Sequence, residues 1–351
     1  MGYFVSLIVL SGLIFFHELG HYLAARLMGV YVEVFSIGFG KRLLTFRAFS
    51  TEWSISAIPL GGYVRMKGQD DSDPTKKNFD ADSYNTKNPL QRIFILAAGP
   101  AANFVLAFFL YFTIAMGNPS IMAPVIGEVV KESPAYAAGL QKNDTILSIN
   151  GKKTESWREM AKLIAESQGT LTLEVNRDGY LKRLSLTPEL KSAKNMYGED
   201  VKRKMIGISA AGVMKEHKMN FIQKLQYATD QTIFASTVIF TGVKKLIIGD
   251  VPASEMGGVI SIVKLTSDAT DAGWMSVLFF AALISVNLGV LNLLPIPALD
   301  GGHIMFNIYE LIFQRPPSEK ILVNLTIAGW VLLFGLMGLG LFNDINRLLG
   351  S

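Results

Sequence analysis

Four side chains in this sequence are of the kinds that hold a metal ion and activate water: His17, Glu18, His21 and Asp300. The first three stand in FFHELGHYLAARLMG (residues 15–29) as the pattern H-E-x-x-H. On an α-helix, residues four apart lie one turn apart and about 40° apart in rotation, so both imidazoles face one point. Glu18 points aside but reaches a water held there, where a carboxylate serves as general base. A catalytic zinc site needs a third protein ligand and one open position. No third histidine follows at the spacing of soluble metzincin-type enzymes. Asp300 is the candidate: it closes NLGVLNLLPIPALDGGH (287–303), where Pro295 and Pro297 break an apolar helix and Gly301-Gly302 allow sharp turns. Broken backbone at membrane depth is tolerated where it lines protein or a water-filled cavity. The plainer readings are two histidines packed between helices and a carboxylate that caps a helix end. The first leaves Glu18 in lipid with no partner.

The elements that must carry these residues are apolar blocks of bilayer length. Half of the 351 residues are hydrophobic, gathered in Tyr3–Met28, Ile93–Met116, Trp274–Leu294 and Leu325–Phe342. The first block lacks a basic n-region and holds the ionisable cluster, so it reads as a retained span rather than a signal peptide. An ionisable group inside such a span marks a functional site by default. Arg26, Lys41, Arg42 and Arg47 follow span one, and Arg315 and Lys320 follow span three; the positive-inside rule puts both segments in the cytoplasm and the N-terminus outside. A net charge of +4, spread along the chain, argues against nucleic-acid binding. With no cysteine in the chain, disulfides and thiolate metal sites are excluded, and any zinc is held by nitrogen and oxygen.

Between spans one and two, Val32–Met66 alternates as strands, and a polar loop (68–89) follows. From about Ile121 to Gly212 the composition turns soluble and mixed α/β. Strands are expected at Val125–Val130 and Thr145–Ile149, with a short Ala-rich helix ending at Gly139 between them. A helix capped by Ser156 and two strands around the turn Asp178-Gly179 follow. This stretch, with SPAYAAGLQKNDTILSINGKK as its most telling part, resembles a PDZ domain, a module that binds an extended peptide at a sheet edge; a spacer without a ligand is the alternative. Residues Asn220–Asp250 read as an amphipathic helix along the membrane surface. His217 reads as a solvated surface residue. Asn103, polar within span two, suits helix packing, with a supporting contact to the metal helix as a further role. His303, three residues past Asp300, is read as supporting the site or structural, since three ligands and a water complete a tetrahedral zinc.

HELGH in span one, AAGPAANF (Ala97–Phe104) in span two and NLLPIPALDGG in span three together resemble the site-2 protease family of intramembrane zinc metalloproteases. The PDZ-like segment is similar to the bacterial RseP-like group, here with room for one PDZ domain rather than two. The resemblance implies a polytopic α-helical membrane protein with four transmembrane helices, a membrane-associated β-rich loop and an inserted extracytoplasmic PDZ-like α/β domain. The expected divisions are 1–28, 29–91, 92–117, 121–213, 214–272, 273–303 and 323–345. It implies zinc held by His17, His21 and Asp300, Glu18 as the base, and Asn292 on the substrate backbone. Its partners would be lipid and single-pass membrane proteins such as anti-sigma factors or remnant signal peptides, with peptide C-termini at the PDZ domain and a place in the bacterial inner membrane. A membrane-tethered scaffold with a structural metal and a metal-ion transporter are the rival expectations.

Overall fold

The structure, a computed structural model, describes residues 2–69, 78–195 and 197–350. The chain divides into two units, one of residues 1–114 with 223–351 and one of residues 115–222.

The first unit opens with helix α1 (Gly2–Leu27), strands β1 (Val32–Ala48) and β2 (Thr51–Met66) and helix α2 (Pro89–Met116). The polar loop expected between β2 and α2 falls partly on residues 70–77, outside the described residues. β1 and β2 form a long hairpin, antiparallel from Arg42↔Ser56 to Ala48↔Thr51. Both strands bend, β1 at Gly38 and Gly40 (φ +87° and +82°) and β2 at Gly61 (φ +129°), conformations that favour glycine. The bends fold the base of the hairpin back on itself. Residues 34–37 consequently meet 62–65 on one side and 52–55 on the other. Four segments lie side by side in the order 62–66, 32–37, 52–58, 42–48, and no described strand continues the sheet beyond 62–66. Phe35 stacks on Trp53 at 4.4 Å, and Tyr22 of α1 meets Trp53 edge-on at 5.1 Å, which fastens this sheet to the helix. The far end of the hairpin turns Leu43, Leu44, Phe46 and Phe49 outward, each more than half exposed.

The second unit begins with β3 (Ser120–Met122), β4 (Ile126–Val129), α3 (Pro134–Ala137), β5 (Thr145–Ile149), β6 (Lys152–Lys153), α4 (Trp157–Ala165), β7 (Leu171–Arg177) and β8 (Tyr180–Leu186). Ser156 and Glu159 cap α4 reciprocally, satisfying two orphan amides. Asp178 and Gly179 both take positive φ, the turn that matches strand twist in a two-residue hairpin. β6, β5, β7 and β8 form one sheet, over which Met160 and Ile164 of α4 close a core with Ile146, Leu173 and Val175. Four further strands, β9 (Glu189–Lys194), β10 (Asp200–Met205), β11 (Ile208–Ala210) and β12 (Met214–Glu216), carry this unit past the boundary expected at 213. β11 and β12 pair back onto β4 and β3, which is why the unit runs on. His217 is not a lone solvated residue. It sits 3.7 Å from Glu155, with its side chain 25% exposed.

Asp144 is fully buried in this unit. Arg177 grips it with two hydrogen bonds of 2.7 Å and also donates to Gly139 O, and that carboxylate in turn raises the Arg177 pKa. Replacing Asp144 by Ala strands the guanidinium and is expected to destabilise the unit by about 3–5 kcal/mol. Chemical denaturation followed through Trp157 fluorescence measures this, and a change below about 1 kcal/mol would show that the pair is not structural.

The first unit resumes with α5 (Phe221–Ile248), α6 (Val259–Asp271), α7 (Trp274–Asn292), α8 (Asp300–Phe313) and α9 (Glu319–Leu349). α6 stands apart from α7, and Gly273, at φ +108°, separates the two at the division expected between 272 and 273. Five helices, α1, α2, α5, α7 and α9, are long and apolar enough to cross a membrane by length and composition. α7 stops at Asn292, ahead of Pro295 and Pro297, and the chain resumes as helix at Asp300. Residue pairing fixes the helix directions. As α1 rises from His17 to His21, its partners on α2 fall from Asn103 to Ile95. Tyr111 packs on Phe279, and Ser285 bonds to Asn103, so α7 is antiparallel to α2 and parallel to α1. Beyond the break, α8 continues toward the start of α2, where Arg92 donates to Glu310 at 2.6 Å.

Candidate metal centre

His17 and His21 stand 15 and 19 residues into α1. His17 therefore lies about 15 Å from the helix's C-terminal end, well inside a bilayer-length helix. α2 holds both rings from behind. The His21 Nδ1 proton is donated to Ile95 O at 2.9 Å, and Asn103, with no exposed surface, lies 3.1 Å from His17 Nδ1. The close approach depends on small residues. A Cβ on Gly99 would land on the His21 ring, and one on Gly20 would collide with Ala98 and Ala102 of α2. The break between α7 and α8 brings in the carboxylate. Gly301 and Gly302 lie against the carbonyls of Leu293, Leu294 and Ile296, which leaves Asp300 at the first position of α8, aimed at the two rings.

The three donor atoms form a small, nearly regular triangle. His17 Nε2 and His21 Nε2 are 3.2 Å apart, and Asp300 Oδ2 lies 3.3 Å and 3.4 Å from them. A tetrahedral metal bound at about 2.0–2.1 Å requires ligand atoms about 3.3 Å apart. Asp300 Oδ2 is buried with no hydrogen-bond partner. Two imidazole nitrogens and a carboxylate oxygen converging on one point, with the oxygen otherwise unsatisfied, fit a zinc ion, and the three qualify as a metal-holding group.

Glu18 lines the cavity in front of this triangle. The cavity measures about 1070 Å³ and also takes in Asn292, His303, and Gly61–Arg65 of the sheet edge. A Cβ on Gly62 would press on Glu18 and on Ser36 O, so the sheet edge and Glu18 are in contact. His303 faces the same cavity one turn beyond Asp300, its ring edge-on to Phe306 at 6.0 Å. It is not one of the three converging donors. From α9, Thr326 and Trp330 complete the wall. Sequence reasoning missed Ile95, Gly99, Gly62 and Ser285. Only Gly99, inside AAGPAANF, carried any signal.

The fold and this centre define a class: a multi-pass membrane protein with two histidines and one carboxylate converging in a geometry that fits zinc, beside a glutamate, inside its helices. The sequence pattern of peptidase family M50 matches residues 5–336. A Campylobacter jejuni protein bearing the name of a zinc metalloprotease is 45% identical over 99% of this chain and 94% of its own length. A Helicobacter pylori protein with the same style of name is 41% identical over 99% of this chain and all of its own, and a Rickettsia conorii one is 36% identical over 97% and 98%. The chain belongs to peptidase family M50, the site-2 protease family, and is a zinc metallopeptidase.

Proposed function

We propose that this protein is an intramembrane endopeptidase that cuts the transmembrane segments of single-pass membrane proteins, with His17, His21 and Asp300 holding zinc and Glu18 as general base. One observation carries the reading: the three converging donors and Glu18, on a helix of bilayer length, face a cavity whose other wall is a sheet edge that no described strand extends. Zinc, when bound, supplies Lewis acidity to the scissile carbonyl and to the attacking water. The residues of the chain do the rest. Glu18 takes the proton from the water and passes it to the departing amine. A substrate helix hides its amides in its own ladder, so the cut requires a short extended segment, and each stranded amide in a dry site costs several kcal/mol. The edge at Gly61–Arg65 meets that need by accepting the segment as an added strand. The Asn292 amide, in the same cavity, hydrogen-bonds the substrate backbone.

α5 reads as lying along the membrane surface. Its Ala228 packs with Tyr111 and Ile114, near the end of α2 that lies beside the α1 N-terminus. Gly258 donates to Asp344 near the end of α9, and Ser6 near the start of α1 bonds to Val263, so α6 lies at that same end. The linker 249–258 includes a 3-10 turn (Ala253–Glu255) and reaches at most about 30 Å, leaving little slack for a return crossing. Four spans remain, α1, α2, the broken α7–α8 and α9. With the N-terminus outside a bacterial inner membrane, the 115–222 unit is extracytoplasmic. There its PDZ-like order of elements suits it to screen substrates by size or by their newly cut ends. Anti-sigma factors and remnant signal peptides are the substrate classes this arrangement fits.

The test is co-expression with a tagged single-pass protein whose outer domain has been trimmed, comparing wild type with Glu18→Gln for a shortened fragment. A second result follows from the unwinding step. Two glycines placed in the substrate's transmembrane helix lower its unwinding cost by roughly 1 kcal/mol each, so cleavage is expected to rise about tenfold or more. Initial rates on matched substrates measure it. Equal rates would mean that the segment is cut without leaving its helical form.

A further inference from the structure

The two zinc-facing histidines are anchored differently, and the difference points to a positioning device. A neutral imidazole has one N–H, so a ring whose Nε2 faces a metal carries its proton on Nδ1 and needs an acceptor there. His21 has one: Ile95 O is a carbonyl and can only accept. His17 Nδ1 instead faces the Asn103 side-chain amide, with Nδ2 at 3.1 Å, while Asn103 Oδ1 is buried with no hydrogen-bond partner. Two N–H groups do not bond to each other. The two ends of an amide have nearly the same shape, and the hydrogen-bond network decides between them. Turned end for end, the amide sets its oxygen against the His17 N–H. The Asn103 backbone is itself pinned, because Ser285 on α7, fully buried, donates Oγ–H to Asn103 O at 2.8 Å.

We infer that Asn103 is the positioning residue for His17: its side-chain oxygen accepts the Nδ1 proton, and Ser285 holds Asn103 in place, so α7 sets the angle at which α1 presents its first zinc ligand. The span that delivers Asp300 through its broken end thus also steers His17 through α2. This deepens the zinc reading of the site and rests on it. The test is therefore metal binding rather than proteolysis.

The full chain in detergent is titrated with zinc against a chromophoric chelator, and the cobalt-substituted protein is examined by visible absorption. Asn103→Leu keeps the shape but has no acceptor, and is expected to bind zinc about 10–100-fold more weakly, with an altered cobalt band. Asn103→Asp can only accept, and is expected to stay within about threefold of wild type with the wild-type band. Ser285→Ala should give a smaller loss in the same direction as Asn103→Leu. Wild-type zinc affinity in Asn103→Leu would overturn the inference. So would an Asp variant that weakens as much as the Leu variant, because the working group would then be the amide N–H. If Asn103→Leu does not fold, the Asp variant decides alone, since retention supports the acceptor role and loss refutes it. Failure of the wild-type chain to bind zinc would instead strike at the metal site itself.

Discussion

The Glu18→Gln protein should purify with its full zinc content and cut a trimmed single-pass substrate about a thousandfold more slowly than wild type. The substitution changes almost no volume and alters none of the three donors, so the triangle of His17, His21 and Asp300 is expected to stay as it is. What disappears is a carboxylate facing the cavity, next in sequence to one ligand and three residues before the other, where a general base is worth about 10²–10⁴ in rate. Quantified fragment formation at matched expression, with zinc measured on the same preparations, reads both halves of the expectation. A Gln variant as fast as wild type would place the base elsewhere. The scaffold reading predicts no effect of this change, and the transporter reading predicts metal flux across vesicles.

The metal centre was legible in the sequence because its chemistry is local. His17, Glu18 and His21 lie within five residues of one helix, and the prolines before Asp300 announce a broken span. The same holds for α4 and the β7–β8 hairpin, whose cap and turn depend on adjacent residues. What stayed hidden depends on pairs distant in sequence. Nothing local shows that residues 34–37 lie between 62–65 and 52–55, because the bent hairpin's register emerges only when glycine kinks fold it back. Nor does alternation in β1 and β2 reveal which edge remains open. Gly99 reads as a small residue in an apolar helix until the His21 ring is seen in the space beside it. Ser285 reads as one polar atom in an apolar span, and its meaning comes from a carbonyl 182 positions away. The start of α7, by contrast, was readable at Gly273 because the charged residues Lys264, Asp268 and Asp271 of α6 give way there to a span without charge.

Asp300→Ala should abolish both zinc binding and cleavage, and the reason lies in what remains. Without the carboxylate, two imidazole nitrogens 3.2 Å apart face one another, with no anion to balance a dication in a low-dielectric site. Asp300→Asn keeps an oxygen near the same place but not its charge, so an intermediate affinity is expected. Binding to the native state alone stabilises by about 4 kcal/mol when free zinc is near a thousand times its Kd. Added zinc should therefore raise the melting temperature of the wild-type apoprotein and leave that of Asp300→Ala unmoved. A variant that still takes up one zinc per chain with wild-type affinity would remove Asp300 from the site. His303 would then be the first residue to test as the third ligand, because it lines the same cavity from the next turn of α8. The triangle argues for the other outcome: the Asp300 oxygen, buried and without a hydrogen bond, has no evident use except to meet a cation. His303→Ala should accordingly keep its zinc.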